Sequence, residues 1–215
     1  MGDSGKIGTR EKILKEALAL FSSRGYKAST MRDIAAAVGV RQGAIYNHFK
    51  NKEAILETLL NDLMESALVN LFGDLETPES YRKGKSILAK IATTFKLISF
   101  DPHNEALFRL MMQELFRNER IRELYHEHFY QKNVKKLSSL FFQMMQEEMI
   151  RSSDPLMLAN EFFSPLFFYQ MQVVLLKIDG KSTSSAVTLF EKHVDIFWES
   201  IRNDDKESEA KQTLF

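Results

Sequence analysis

The sequence contains no cysteine. Disulfides, thiolate nucleophiles and Cys-based zinc or iron–sulfur sites are excluded together, and the chain suits a reducing compartment. No apolar run approaches the roughly 18 residues of a membrane span, so no membrane partner is expected. The first residues, Met1-Gly2-Asp3-Ser4-Gly5-Lys6, lack the apolar core of a signal peptide, and Lys6 stands where N-myristoylation wants Ser or Thr. A cytoplasmic location is the expectation. Proline and glycine are sparse, four and nine in 215 residues, and no stretch shows the period-two alternation of a half-buried strand. Also missing are a Gly-rich phosphate loop after a strand, a His-Glu-x-x-His pair and a nucleophile elbow. Scattered Ser, His and Asp residues nominate no catalytic group, and nothing requires a cofactor.

What is present is ordinary in amount and uneven in placement. Hydrophobic residues make up 44 % and charged residues 27 %, as in a globular chain. The net charge is zero, yet residues 1–52 hold ten Lys/Arg against four Asp/Glu, a net of +6 that the remainder balances with −6. A basic head on an acidic body is the asymmetry of a chain whose one part touches nucleic acid.

The pattern predicts an all-α protein of about nine helices. Thr9 reads as an N-cap, after which Ile13, Leu14, Ala17, Leu18 and Phe21 keep one face until Gly25 stops the helix. Thr30 forms a capping box with Asp33, with Ile34, Ala35 and Val38 on the apolar side, and Gly39 ends that second helix. A third short helix spans Arg41 to His48. Asn51 caps a long fourth one through Ile55, Leu56, Leu59, Leu60, Leu63, Ala67 and Leu68. Thr77-Pro78, Asp101-Pro102 and Asp154-Pro155 each open a helix, because Pro suits the first helical position. A break is predicted near Asn118, then one long helix from about Arg120 to Ile150. Asp179-Gly180 precedes a last helix from Ser184 to Arg202. Residues 1–8 read as a disordered arm and 203–215 as a flexible tail. Residues 9–54 form a three-helix head, helix 4 (about 52–71) connects, and 55–202 form a larger helical body.

Two short helices joined through Gly39 fit a helix-turn-helix, whose second helix enters the major groove. That helix buries Val40, Ile45 and Phe49 and leaves Arg41, Gln42, Ala44, Tyr46, Asn47 and His48 outward. A solvated face is the ordinary reading of such a surface, but three details favour DNA. Gly43 costs about 1 kcal/mol relative to Ala inside so short a helix, which makes sense where a backbone must approach another surface closely. The outward residues combine donors, acceptors and a methyl that match base edges. Lys52 begins the fourth helix beside the positive end of its dipole, and a phosphate there would reconcile both charges.

Residues 9–60 resemble the DNA-binding head of the TetR family of bacterial regulators. The likeness runs through Ile13-Leu14-Lys15-Glu16-Ala17-Leu18-Ala19-Leu20-Phe21, Arg24-Gly25-Tyr26, Thr30-Met31-Arg32-Asp33-Ile34-Ala35, Gly39-Val40 and Gly43-Ala44-Ile45-Tyr46-Asn47-His48-Phe49-Lys50-Asn51-Lys52-Glu53. The resemblance implies phosphate contacts for Thr30, Tyr46, His48 and Lys52. It implies base contacts or close approach for Arg32, Arg41, Gln42, Gly43, Ala44 and Asn47. It also implies a homodimer bound to a double-stranded, palindromic operator on the bacterial nucleoid, with a body that takes a small-molecule effector and pairs two copies. Family habit favours repression, released by the effector.

The body residues allow both tasks. Phe and Met are plentiful, and although any one of them can be simple core, together they favour a small apolar or aromatic effector. The pocket candidates are Phe95, His103, Phe108, Met111, Met112, Phe129, Phe141, Met145, Phe163 and Tyr169. The last two helices carry more apolar surface than one core stripe needs, as a four-helix dimer interface requires. Its candidates are Phe168, Met171, Leu175, Phe190, Val194, Phe197 and Trp198. His126 and His128, two apart on a helix, point about 200° apart and cannot share an ion, so no metal is expected. A nonspecific DNA-packaging protein would explain the head but not the large apolar body. An enzyme using the body pocket is the remaining alternative.

Overall fold

The computed structural model describes residues 8–66 and 78–203, and the all-α fold is the observed one. The arm before Gly8, Ala67 and Leu68 of the fourth helix, Thr77 and the tail from Asp204 lie outside the described residues. The helices are α1 (Thr9–Arg24), α2 (Met31–Val38), α3 (Gln42–Tyr46), α4 (Lys52–Ser66), α5 (Pro78–Tyr81) and α6 (Lys85–Phe100). They continue with α7 (Pro102–Leu115), α8 (Glu119–Leu124), a π-helical stretch (Tyr125–Gln131), α9 (Lys132–Gln146), α10 (Pro155–Ile178) and α11 (Ser184–Ile201). Among the described residues the sole extended pairing is a bridge between Ile150 and Arg202.

The chain packs as two units. The first comprises Met1–Glu65 and Pro102–Tyr125, so α7 and α8 pack with the head. In it α1 lies against both α2 and α7. The apolar face of α1 is buried as its periodicity predicts, at Ile13, Leu14, Ala17, Leu18 and Phe21. It shares a core with Ile34, Ile45, Ile55, Leu56, Leu107, Phe108 and Met111. Each such fully buried side chain contributes about 1.5–3 kcal/mol relative to exposure. The second unit comprises Ser66–Asp101 and His126–Phe215, with α10 packed on α9, α11 and α6.

Most predicted caps are present. Asn51 Oδ1 accepts from Ala54 N–H at 2.8 Å, and Asp154 accepts from Leu156 and Met157 N–H at 2.8 and 3.1 Å. Asn118 starts α8, at the predicted break. Thr9 is not the cap of α1: that position falls to Gly8, whose N–H donates to Glu11 at 3.2 Å.

Three departures from the expected helices have local causes. The helix opened by Pro78 stops at Tyr81 and restarts at Lys85. Gly84 sits between them at φ +50, where a Cβ would meet Met149 Cε at 3.0 Å and the Trp198 ring at 3.1 Å. Only glycine combines that backbone with that approach. The helix predicted from Arg120 to Ile150 is divided by the π stretch and ends at Gln146. Its buried positions, Leu124 and then Phe129, are five residues apart, and the i→i+5 winding of a π turn keeps them on one side. Finally, Pro165 lies inside α10 and leaves the Glu161 carbonyl without its helical donor.

Candidate nucleic-acid interface

The helix-turn-helix is built from local rules. Thr30 Oγ1 accepts from Asp33 N–H at 3.1 Å while Asp33 Oδ2 accepts from Thr30 N–H at 2.9 Å. The Thr30 hydroxyl also donates to Asp33 at 2.6 Å, and these bonds hold the carboxyl below its ordinary pKa. At the other end Gly39 adopts φ 79, ψ 30, and Val40 N–H reaches back to Ala35 O at 3.0 Å. That left-handed cap aims the chain into α3. Ile45 and Phe49 anchor α3 in the core, whereas Val40 is only half-buried.

The outer surface of this unit gathers most of the predicted DNA-facing residues. Arg32, Arg41, Gln42, Gly43, Tyr46, Asn47, His48 and Thr30 are exposed, and Ala44 is half-buried. Gln42 Nε2 donates to Tyr46 Oη at 3.4 Å, a loose contact that leaves both groups available. A Cβ at Gly43 would meet nothing within 4 Å, so the protein itself does not demand glycine there.

Lys52 departs from this surface. Its ammonium turns inward and donates to Tyr26 O at 2.6 Å and Ser29 O at 2.8 Å, while sitting 4.2 Å from the centre of the Tyr26 ring. In the free chain the carbonyls of the α1–α2 turn answer the charge at this helix start. Burial lowers the Lys52 pKa, and the buried Glu114 carboxylate of α7 acts in the opposite sense. Burial first, then Glu53, Glu114 and Glu57, push the Tyr26 phenol up to about 12. Lys52, through the Tyr26 and Ser29 carbonyls, therefore ties down the turn that sets α2. Sequence reasoning gave Tyr26 and Ser29 no role in holding Lys52, because backbone carbonyls of a turn carry no distinctive sequence signal.

The pocket candidates divide between the units. His103 is exposed on α7, where Phe108 and Met111 are buried and Met112 half-buried. In the second unit Phe163 joins Phe95 and Phe129, with ring centres 5.4 and 5.7 Å away. Phe141 belongs to a neighbouring cluster with Phe162 and Phe197, and Tyr169 packs on Phe190 and His193. Met145 Sδ accepts from Ser153 N–H at 3.3 Å. His193, absent from the predicted set, donates through Nε2–H to Phe162 O at 2.9 Å. Burial lowers its pKa, partly opposed by that bond.

Of the dimer candidates, Phe168 and Leu175 are exposed and three are not. Phe190, Val194 and Phe197 are buried in their own unit and offer no surface to a second copy. Trp198 is half-buried against Gly84, and Met171 is also half-buried. The apolar residues of α11 form two stripes, and the sequence alone does not say which is inner. The outer stripe is Leu189 and Ile196, the latter 71 % exposed, beside Phe168, Leu175 and Ile178 of α10.

Residues 13–59 match the family model of bacterial regulatory proteins, tetR family. The nucleoid occlusion factor SlmA of Vibrio campbellii is 31 % identical over 156 residues, 70 % of this chain and 74 % of that protein. The chain belongs to the TetR family. The transcriptional repressor KstR2 of Rhodococcus jostii is 34 % identical to this TetR-family chain over 119 residues, 54 % of the chain and 56 % of the relative. The chain thus spans about half the length of that relative. The solved SmeT–triclosan complex has a TM-score of 0.71 over 91 % of this chain and 92 % of its own, at 20 % identity, a likeness of fold alone. TetR-family membership places the chain among regulatory proteins rather than enzymes.

Proposed function

We propose that this protein is a sequence-specific DNA-binding transcriptional regulator, a homodimeric repressor released from a palindromic operator by a mostly apolar small molecule. The exposed set Arg41, Gln42, Tyr46, Asn47 and His48 on a capped helix-turn-helix carries the reading. Residues 9–54 serve as the DNA-binding head and 55–202 as the effector-binding and dimerisation body, acting in the bacterial cytoplasm on the nucleoid. The repressor KstR2 is a relative, and SmeT, of the same fold, is known in complex with triclosan. Among the described residues no helix is long and apolar enough to cross a membrane.

Two copies place two recognition helices on half-sites a helical turn or more apart. An effector that binds one arrangement of the dimer better than another shifts the population, and the DNA-competent state is depleted accordingly. The likeness to a nucleoid occlusion factor keeps a second reading in view, a DNA-bound factor that regulates no promoter. Selection from a random duplex pool, followed by sequencing, tests the first reading. A two-fold symmetric site is expected. Enrichment of no motif at low salt and without ligand sinks it, and equal operator affinity of every ligand-loaded and free dimer sinks the release mechanism.

A further inference from the structure

Buried polar groups are almost always hydrogen-bonded, so an orphan requires a physical reason. Asn133 is 3 % exposed, and its Nδ2 has no hydrogen-bond partner. It lies on the buried face of α9, which packs on α10. Before it in the chain, Phe129 packs against Phe163 and Phe167 with ring centres 5.7 and 5.8 Å apart. After it, Phe141 meets Phe162 at 6.1 Å. The amide thus lies on the buried face of α9, one turn beyond Phe129.

Both helices are irregular at this level. The π stretch ends at Gln131, two residues before Asn133. In α10, Pro165 interrupts the hydrogen-bond ladder between the residues that meet Phe129. A widened turn facing a broken ladder marks a place where packing yields, and π turns cluster at functional sites.

We propose that Asn133 is the polar anchor of a ligand site between α9 and α10. Its Nδ2 donates to a neutral acceptor oxygen, of a ketone, ester, amide or ether, on an otherwise apolar molecule. This rests on the effector reading above and narrows the effector's chemistry. A carboxylate fits poorly, because one neutral amide does not offset the desolvation of an anion in an apolar interior.

The probes are benzophenone, diphenylmethane and diphenylacetate, which share two rings and carry a ketone, no polar group and an anion. In calorimetric titrations of the full chain, benzophenone should bind at least about tenfold more tightly than the other two. Asn133→Leu keeps the branched shape and removes the orphan donor. It should melt no lower than the parent and bring benzophenone and diphenylmethane to within about twofold of each other. Irradiation of the benzophenone complex should attach the probe to α9 or α10, as read by peptide mass spectrometry. No binding of benzophenone, equal affinity for ketone and hydrocarbon in the parent, an unchanged preference in Asn133→Leu, or adducts confined to other segments each overturn the proposal. DNA selection on the same preparations separates the two readings. An operator without ketone preference removes this site and leaves the regulator, whereas ketone preference without an operator does the reverse.

Discussion

The ammonium of Lys52 has three hydrogens, and two of them go to the carbonyls of Tyr26 and Ser29. Those carbonyls belong to the turn that positions α2, so the side chain acts on the fold of the head before it acts on DNA. Lys52→Ala should destabilise the protein by about 1–3 kcal/mol, with a fall in Tm of about 2–4 °C per kcal/mol. An unchanged melting curve, with a salt slope of operator binding reduced by about 1, would instead restore the phosphate role. Arg32 and Gln42 are exposed and have no such internal task. Arg32→Ala and Gln42→Ala should leave Tm near the parent value and weaken preference at particular base pairs by about 1–3 kcal/mol each. A uniform loss across all operator variants would reassign both to the backbone. The difference between Lys52 and Gln42 was not legible in the sequence, since both are polar residues at helix starts. Only the carbonyls around Lys52 separate them.

Among elements, α10 and α11 are joined by a polar contact beside the irregular turn of α10. Pro165 interrupts the hydrogen-bond ladder of α10 at the Glu161 carbonyl, and the neighbouring Phe162 carbonyl accepts a hydrogen bond from His193 of α11. The imidazole also stacks on Phe162, 5.4 Å between centres at 26°. Its folded-state pKa is lowered, chiefly by burial, so the unfolded chain takes up the proton first as pH falls. Stability from this residue is full above about pH 6.5, the unfolded value, and is lost as pH falls from there towards the folded value. His193→Gln keeps a donor and removes the titration. The drop in Tm between pH 7.5 and 5.5 should therefore be smaller in His193→Gln than in the parent, roughly in proportion to the lost protonation. Identical pH profiles would mean that other groups carry the acid sensitivity. The π stretch had a signal that periodicity reading passed over: four residues, Tyr125 to His128, separate the apolar Leu124 from Phe129. An α-helix would leave a core position unfilled across that gap.

For the whole molecule, the proposed dimer rests on the exposed face of α10 and α11. Phe168, Leu175, Ile178, Leu189 and Ile196 are apolar and open to solvent in the single chain. Surplus apolar surface on two adjacent helices suits an isologous contact with a second copy. Leu175→Glu combined with Ile196→Glu should yield a monomer by sedimentation, with helix content unchanged and operator affinity reduced by about a hundredfold or more. A dimer that survives both changes would place the interface elsewhere. Phe190→Ala is the contrasting case, because that ring is fully buried. It should lower stability by about 3–5 kcal/mol through a cavity, not through dissociation.

By itself the sequence determined the elements whose causes lie within a few residues. The capping box of Thr30 and Asp33, the stop at Gly39, the caps at Asn51 and Asp154 and the inward face of α1 all depend on neighbours three or four positions away. The exposed face of α3 followed from the same periodicity. Tertiary structure alone decided the inward turn of Lys52, the close approach at Gly84, the orphan amide of Asn133 and which stripe of α11 faces out. Each of these depends on partners brought from distant parts of the chain. A helical stripe shows that a residue can be buried, but only the packing of another helix against it chooses between two apolar faces.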